Sequence, residues 1–194
     1  MLPESDSINT ETSAPTLLAA VYYVAQGFAA FDDYLCIQTV YDPPPLEKLW
    51  KLVMRDIHEE DRNPSISLLQ AMLILVISPP NDILKPNFEA RQSLVSDANS
   101  IAQALGLYYD ASRWPIPAAE RCLRKRLSWS LRFADSWNSA VSGRQSCISE
   151  DDWLVSELQL EDFSAQEMQS GHASLAIEMS KLTDILRAVT KRML

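Results

Sequence analysis

The sequence has few of the residues from which common catalytic and metal sites are built. Its 194 residues include only 4 glycines, 3 cysteines and 2 histidines. Glycines at positions 27, 106, 143 and 171 are too scattered to form a phosphate-binding loop. The cysteines, Cys36, Cys122 and Cys147, are odd in number and far apart, which excludes a secreted disulfide framework and the paired spacing of a zinc ribbon. We therefore expect reduced, mostly buried thiols and no metal or cofactor bound by these residues.

Long apolar runs are missing as well. The longest, Ala71–Ile77, is far shorter than the roughly 20 residues that a membrane-spanning helix needs. Residues 1–15 are acidic and polar, unlike the apolar core of a signal peptide. The sequence thus predicts an intracellular, soluble protein with no membrane partner.

Positive charge is also in short supply. The formal net charge is -9 at pH 7, and DNA binding without sequence preference depends on clustered cations that release counterions. We expect contact with DNA only through a module that lies outside these residues.

Helical periodicity between proline breaks is the dominant pattern. The apolar fraction of 47% is enough for a sizeable core, and 11 prolines divide the chain. The pattern predicts an all-α domain over residues 15–194, an irregular array of about seven helices, after a disordered lead-in at residues 1–14. The predicted helices cover about 15–31, 46–57, 66–77, 87–107 and 117–140, with others beginning near 149 and 164.

Capping residues mark the ends of these helices. Asn63 before Pro64 is typical of a helix start, and Gly106 and the Gly143–Arg144 pair are typical of helix ends. Ser149 begins an S-x-x-D variant of the capping box, and Ser164 begins a full one. We expect a helix to begin at each of these two serines.

The predicted helix at 117–140 is unusually basic. A DNA recognition helix would place its cations on one exposed face, whereas here they alternate with large apolar residues and spread around the helix. Buried cations need acidic partners, and the nearest candidates are Asp110, Glu120 and Asp135. The pattern favours an ion-paired scaffold helix over a DNA-contacting one; its cations are Arg121, Arg124, Lys125, Arg126 and Arg132.

The end of the chain carries an apolar seam with the spacing of a coiled coil. Its members are separated by four and three residues in alternation, and they are Leu175, Met179, Leu182, Leu186, Val189 and Met193. The seam is shorter than three heptads, so we favour a terminal helix that docks on the core. A homodimer through this seam stays open as the alternative. The seam runs to the last residues, which also leaves open that the domain is truncated at its C-terminus.

Catalytic signatures are scarce. The sequence lacks a nucleophile elbow, a zincin motif and a calcium-binding loop. Cys147 with His172 is a formal nucleophile and base for a hydrolase, but most chains offer such a pair. We expect no enzyme activity and keep two alternatives, a helical adaptor or dimerisation protein and, less favoured, the Cys147 hydrolase.

The most specific sequence pattern lies between Leu105 and Asp152. It begins with Leu-Gly-Leu-Tyr-Tyr-Asp at 105–110, and a tryptophan, a Glu and an Arg-Lys-Arg run follow. A Gly-Arg pair, an Ile and two Asp residues complete the series. The positions that carry the pattern are Gly106, Asp110, Trp114, Arg124, Arg126, Trp129, Asp135, Gly143 and Arg144.

This series resembles the middle homology region of fungal zinc-cluster transcription factors, and the likeness extends more loosely over residues 15–194. Three positions depart from the family pattern: Tyr108 for His, Ser128 for Trp and Gln145 for Pro. The family's N-terminal cluster of six cysteines, which holds two zinc ions and binds DNA, does not occur among these residues.

The resemblance implies an all-α regulatory domain of a nuclear transcription factor that controls genes read by RNA polymerase II. It implies partners among other transcription proteins, zinc and DNA binding only through the zinc cluster, and in some members a small effector ligand. The spelling Arg-Trp-Pro-Ile-Pro at 113–117 also resembles a subgroup linked to the control of nitrogen sources. The nine signature residues are expected to act structurally, with no catalytic, cofactor or metal role.

Overall fold

The computed structural model describes residues 14–37, 45–60, 62–79 and 88–193, and every structural statement below concerns these ranges. They contain helices and no β-strand, which confirms the predicted all-α class. The lead-in before residue 14, the prolines at 43 and 44 and the loop at 81–86 lie outside the described residues. The chain divides into two compact units, Met1–Pro86 and Asn87–Leu194.

The first unit is a small helical layer. Helix α1 spans Pro15–Ala25 and is extended by a 3₁₀ helix, Gln26–Phe31, as the sequence predicted for this stretch. Helix α2 spans Leu46–Glu60, and helix α3 spans Ile66–Ile77. Helix α1 packs against both of the others.

Helix α3 is the apolar centre of the first unit. It buries seven residues of its 12, consistent with its almost wholly apolar sequence. The predicted start at Asn63 is wrong by two residues. The cap is Ser65, whose backbone is extended and whose hydroxyl accepts a hydrogen bond from the Leu68 N–H at 3.1 Å.

The second unit is built around one long helix. Helix α4 spans Phe88–Ala104, and helix α5, Ala118–Ser142, packs against it. A short helix α6, Ala165–Gln169, leads into helix α7, His172–Met193, which packs along α5. Two 3₁₀ turns, Ala111–Arg113 and Leu160–Asp162, lie beside α5.

Helix α5 buries most of its apolar face and leaves Leu123 partly exposed. Leu127, Leu131 and Ala134 are all buried, and Trp129 is buried beside them. The predicted helix end is also confirmed, because Gly143 caps α5 in the left-handed region at φ 66°.

Helix α7 docks on α5, as the favoured interpretation expected, but its leucine seam is only partly covered, with Met179 and Leu186 partly buried. The residues that it buries are small or polar: Ala173, Ser180 and Thr183. The opposite face carries four large apolar residues that remain exposed. We call them the apolar stripe: Leu175 (61% exposed), Leu182 (43%), Ile185 (61%) and Val189 (47%).

The predicted helix at Ser149 is wrong. Residues 144–159 form turns and extended segments, and the Ser149 hydroxyl accepts a hydrogen bond from the Asp151 N–H at 3.3 Å within a local turn. The full capping box at Ser164 is confirmed, with Glu167 as its reciprocal partner at the start of α6. Within the described ranges, none of the helices has the length and apolar character needed to cross a bilayer.

Candidate functional site

The signature residues of the sequence converge on α5 and on the two loops beside it, 105–117 and 143–163. Near the start of α5, Gly106 ends α4 with φ +71°, and its amide and that of Leu107 bond back to carbonyls of α4 at 3.0 and 2.9 Å. A Cβ on Gly106 would lie only 3.0 Å from the ring of Trp114. Two features therefore favour glycine at this position: the positive φ and the short distance to the indole of Trp114.

Arg124 connects these two residues to α5. Its guanidinium lies over the Trp114 ring, 5.4 Å from the centroid, and donates to the Leu105 carbonyl at 3.0 Å. The same group donates to the Glu120 carboxylate at 3.0 Å, one helical turn earlier. Three signature positions, Gly106, Trp114 and Arg124, thus form one contact.

Asp110 holds the first loop to the second. Its carboxylate accepts from the Ser112 N–H at 2.7 Å and from the Ser156 N–H at 3.2 Å. Burial opposes ionisation of this carboxyl, but the hydrogen bonds from Ser156 and Ser112 outweigh it and lower the pKa of Asp110 to about 2. The predicted pairing of Asp110 with a basic residue of α5 is wrong, because backbone N–H groups take its oxygens.

An aromatic group fixes the second loop against the middle of α5. The Trp129 indole donates to the Ser156 carbonyl at 2.9 Å and meets Trp153 edge-on at 5.8 Å. The Arg132 guanidinium lies 5.0 Å from the Trp153 ring centroid and 5.6 Å from that of Trp129. The family pattern specified Trp129, whereas Trp153 had no periodic signal in the sequence.

Asp135 anchors the loop that follows α5. It is 1% exposed, and its carboxylate accepts from the Cys147 N–H at 2.9 Å, from the Ile148 N–H at 3.3 Å and from the Ser146 hydroxyl. Because a buried carboxylate needs partners for all its lone pairs, these bonds fix the path of residues 146–148.

The counter-ion of Asp135 comes from α7, not from α5. Arg187 Nη1 lies 3.6 Å from the carboxylate, and Arg187 Nη2 donates to the Ile148 carbonyl at 2.6 Å. The same guanidinium donates to the hydroxyls of Ser136 and Ser146 at 3.1 and 2.8 Å. The predicted partner set for Asp135 is therefore wrong, since Arg187 has no special signal within an apolar seam of the sequence.

Glu150 joins Arg187 to α5. Its carboxylate accepts from Arg187 at 2.6 Å and from Arg132 at 2.8 Å, and Arg132 also donates to Asp184 of α7 at 3.0 Å. Burial opposes the ionisation of Glu150, but the hydrogen bonds from Arg132 and Arg187 outweigh it and lower its pKa. We call this set the anchor network: Arg132, Asp135, Glu150, Asp184 and Arg187.

Arg126 makes a separate link to α6. It pairs with Glu167 at 2.6 Å and lies 5.7 Å from the Phe163 ring centroid. Burial opposes the ionisation of Glu167, but hydrogen bonds from Ser164 and the charge of Arg126 lower its pKa. Sequence reasoning assigned Glu167 to a helix cap and missed this second role.

The other cations of α5 are engaged as well. Lys125 pairs with Asp162 at 2.8 Å, and Arg121 donates to the Ile116 carbonyl at 2.6 Å. The expected ion-paired scaffold is therefore present, but of the three partners predicted for it, only Glu120 pairs with a cation of α5.

An open pocket of about 360 Å³ lies beside the anchor network, between the end of α5, the 144–151 loop and α7. Arg144 and Lys191 line it without an ion pair in the described ranges, and so does Asp151. The hydroxyl of Ser139, a residue only 9% exposed, lines the pocket and has no hydrogen-bond partner among the described residues. The lining therefore offers free groups of both charges to a polar molecule.

The described residues give the cysteine hypothesis no support. Partial burial and the nearby Asp135 carboxylate raise the pKa of the Cys147 thiol, which disfavours the nucleophilic thiolate. Its Sγ lies 4.0 Å from Ser96 Oγ and makes no hydrogen bond with His172. Across the described ranges, His, Cys, Asp and Glu nowhere gather in threes with metal-binding geometry, so these residues do not fit the zinc cluster of the family's DNA-binding module.

Comparison with known proteins identifies the family of the chain. Residues 4–192 match the model of the fungal specific transcription factor domain, and the chain belongs to this family. The match confirms the resemblance found in the sequence.

Two relatives place the family match in context. The Schizosaccharomyces pombe protein named "Uncharacterized transcriptional regulatory protein C25B8.11" is 30% identical over 176 residues, 89% of this chain and 26% of that protein. The Saccharomyces cerevisiae "Transcriptional activator protein DAL81" is 28% identical over 156 residues, 79% of this chain and 15% of that protein. The chain therefore spans about a quarter or less of each relative. No solved structure matches significantly.

Proposed function

We propose that this chain is the regulatory domain of a nuclear transcription factor that controls RNA polymerase II transcription of metabolic genes, those for nitrogen utilisation among them. It acts through contacts with other transcription proteins, and DNA is read by a zinc cluster outside these residues. The family match over residues 4–192 is the observation that carries this proposal.

The state of the basic residues supports protein contact over DNA contact. Arg124, Lys125, Arg126 and Arg132 of α5 are each paired with a carboxylate. A phosphate backbone would have to displace these partners before counterion release contributed to binding. With a net charge of -9, the chain favours partners other than nucleic acid.

The effector part of the proposal belongs to the pocket beside the anchor network. Free cations at Arg144 and Lys191, a free carboxylate at Asp151 and the free Ser139 hydroxyl suit a small polar metabolite with acceptor and donor groups. Because Arg187 lines the same pocket and holds α7 to the loop, a bound ligand would stabilise the α5–α7 contact. Thermal melting of the chain with a panel of amino acids and small carboxylates, compared with Lys191→Gln, tests this assignment.

A reporter assay tests the regulatory function. Residues 1–194 are fused to an unrelated DNA-binding domain, and transcription from a promoter with its sites is measured in yeast. We expect the fusion to change transcription relative to the DNA-binding domain alone. A folded, nuclear fusion that leaves transcription unchanged would refute the proposal.

A second candidate is a helical adaptor or dimerisation module without DNA-directed activity. The apolar stripe of α7 favours it, because four large apolar side chains on one face are exposed. A folded chain that forms dimers but leaves the reporter unchanged would select this candidate over the first.

A further inference from the structure

The two faces of α7 have different neighbours. Its polar and small side chains pack on α5, and Arg187 extends from the same side into the anchor network. The apolar stripe lies on the opposite side, and none of the described residues buries it. A helix that is apolar on the face away from its own unit is built to be covered by another helix.

The spacing of the stripe specifies the shape of that covering helix. Leu175, Leu182 and Val189 recur every seven residues, and Ile185 lies beside them on the same face. A seven-residue repeat keeps the stripe on one side of the helix over several turns, which is the geometry of two helices that pack along each other.

Two charged residues on the face of the stripe are complementary when α7 faces itself in the opposite direction. Glu178 and Arg192 lie seven residues on either side of Ile185 and on the same side of the helix as the stripe. In an antiparallel pair with a two-fold axis at Ile185, Glu178 of each copy meets Arg192 of the other. A parallel pair would place each of these residues level with its own copy, so like charges would meet.

These two charged residues are available for such a contact. Arg192 is exposed and makes no ion pair among the described residues, and Glu178 pairs only with Lys181 at the surface. Exposed pairs of this kind contribute little, so a second partner for Glu178 costs little to form.

We propose that two copies of this chain associate through an antiparallel, two-fold contact between their α7 helices, with Ile185 at the axis and Glu178–Arg192 pairs on either side. The inference deepens the dimerisation part of the proposed function. A contact along one helix is smaller than the roughly 1,200 Å² of standard interfaces, so we expect reversible association in the micromolar range.

Sedimentation velocity of the 194-residue chain tests the proposal. Wild type should shift from monomer to dimer as concentration rises from low to high micromolar, while Leu182→Gln and Ile185→Gln stay monomeric. Val141→Gln, which changes an exposed apolar residue of α5, is the matched control and should behave as wild type. Because all three positions are exposed, each variant should melt as wild type does at concentrations where wild type is monomeric.

Charge reversal separates the antiparallel pair from other arrangements. Glu178→Arg and Arg192→Glu should each weaken association about tenfold, and the double variant should restore it, because the pairs re-form with their signs exchanged. Failure of the double variant to restore association would refute the antiparallel arrangement. A wild-type chain that is monomeric throughout would refute the dimer and assign the stripe to another segment or protein.

A cross-link reports the axis directly. In a Cys147→Ser background, Ile185→Cys should form a disulfide-linked dimer on mild oxidation, and Val141→Cys should not. The reporter assay is independent of these measurements. A monomer that still regulates transcription would refute only the dimer, and a dimer that does not regulate would refute only the regulatory function.

Discussion

Helices α5 and α7 lie side by side in the second unit, yet they use their side chains in opposite ways. Helix α5 buries Leu127 and Leu131 and pairs four of its five cations with carboxylates. Helix α7 instead buries Ala173, Ser180 and Thr183 and exposes its apolar stripe. Both sequences show apolar residues at helical spacing. The difference teaches that periodicity reveals an apolar face but does not say which neighbour covers it.

The two helices also differ in how their charges are placed. Cations dominate α5, and α7 supplies Asp184 and Arg187 to the anchor network from its docked side. Ionic and hydrogen-bonded groups therefore contribute to the contact between the helices, while the apolar stripe of α7 stays exposed.

The largest effect is expected where the two helices meet at Asp135. Asp135→Ala leaves Arg187 without its buried counter-ion and releases the N–H groups of Cys147 and Ile148. We expect a loss of about 3–5 kcal/mol in the free energy of unfolding, measured with urea. Asp151→Ala, which removes an exposed carboxylate without an ion pair, is the control. Equal losses for the two variants would show that the anchor network does not hold the helices together.

A matched pair of leucines tests the contrast between the buried leucines of α5 and the exposed apolar stripe of α7. Leu131→Ala on α5 removes a fully buried side chain and should cost about 2–5 kcal/mol. Leu182→Ala on α7 should cost under about 1 kcal/mol at concentrations where the chain is monomeric. Similar losses in the two urea titrations would mean that the stripe is already packed within one chain.

A pair of glycines tests the contact at the start of α5. Gly143→Ala meets no nearby atom, so only its left-handed backbone opposes the change, at about 1–2 kcal/mol. Gly106→Ala carries the same backbone strain and also approaches Trp114, whose ring supports Arg124. Its melting temperature should therefore fall further than that of Gly143→Ala. A larger fall for Gly143→Ala would show that the Gly106–Trp114 contact does not add to the cost.

The smallest effect is expected from pH. The pKa of Asp110 is lowered from 3.8 to about 2, so its stabilisation is complete above pH 4 and is lost as the pH falls toward 2. Asp110→Asn should lower stability at neutral pH and flatten the acid-side loss between these values. Urea unfolding across this range measures both, and an unchanged slope would show that Asp110 does not link the two loops.

Much of this architecture followed from the sequence. Periodicity and proline breaks predicted an all-α chain, and the spelling from Leu105 to Asp152 identified the family. The Gly106 helix end and the Ser164 capping box followed from local rules, because their partners lie within a few residues.

What the sequence did not reveal depends on distant partners. Glu150 and Arg187 form an ion pair although they lie 37 positions apart in the sequence. Asp135 of α5 likewise contacts Arg187 of α7, which is further still along the chain. Neither contact has a periodic signal. Ser149 was expected to begin a helix because its acidic neighbours suit a helix start, but Glu150 is taken instead by Arg132 and Arg187.

We propose that α7 holds its own chain with one face and a second copy with the other. The most direct test is the urea midpoint of the wild-type chain as a function of protein concentration. Association of folded chains stabilises them by mass action, so the midpoint should rise with concentration in wild type and stay constant in Leu182→Gln. A wild-type midpoint that does not change with concentration would contradict the claim.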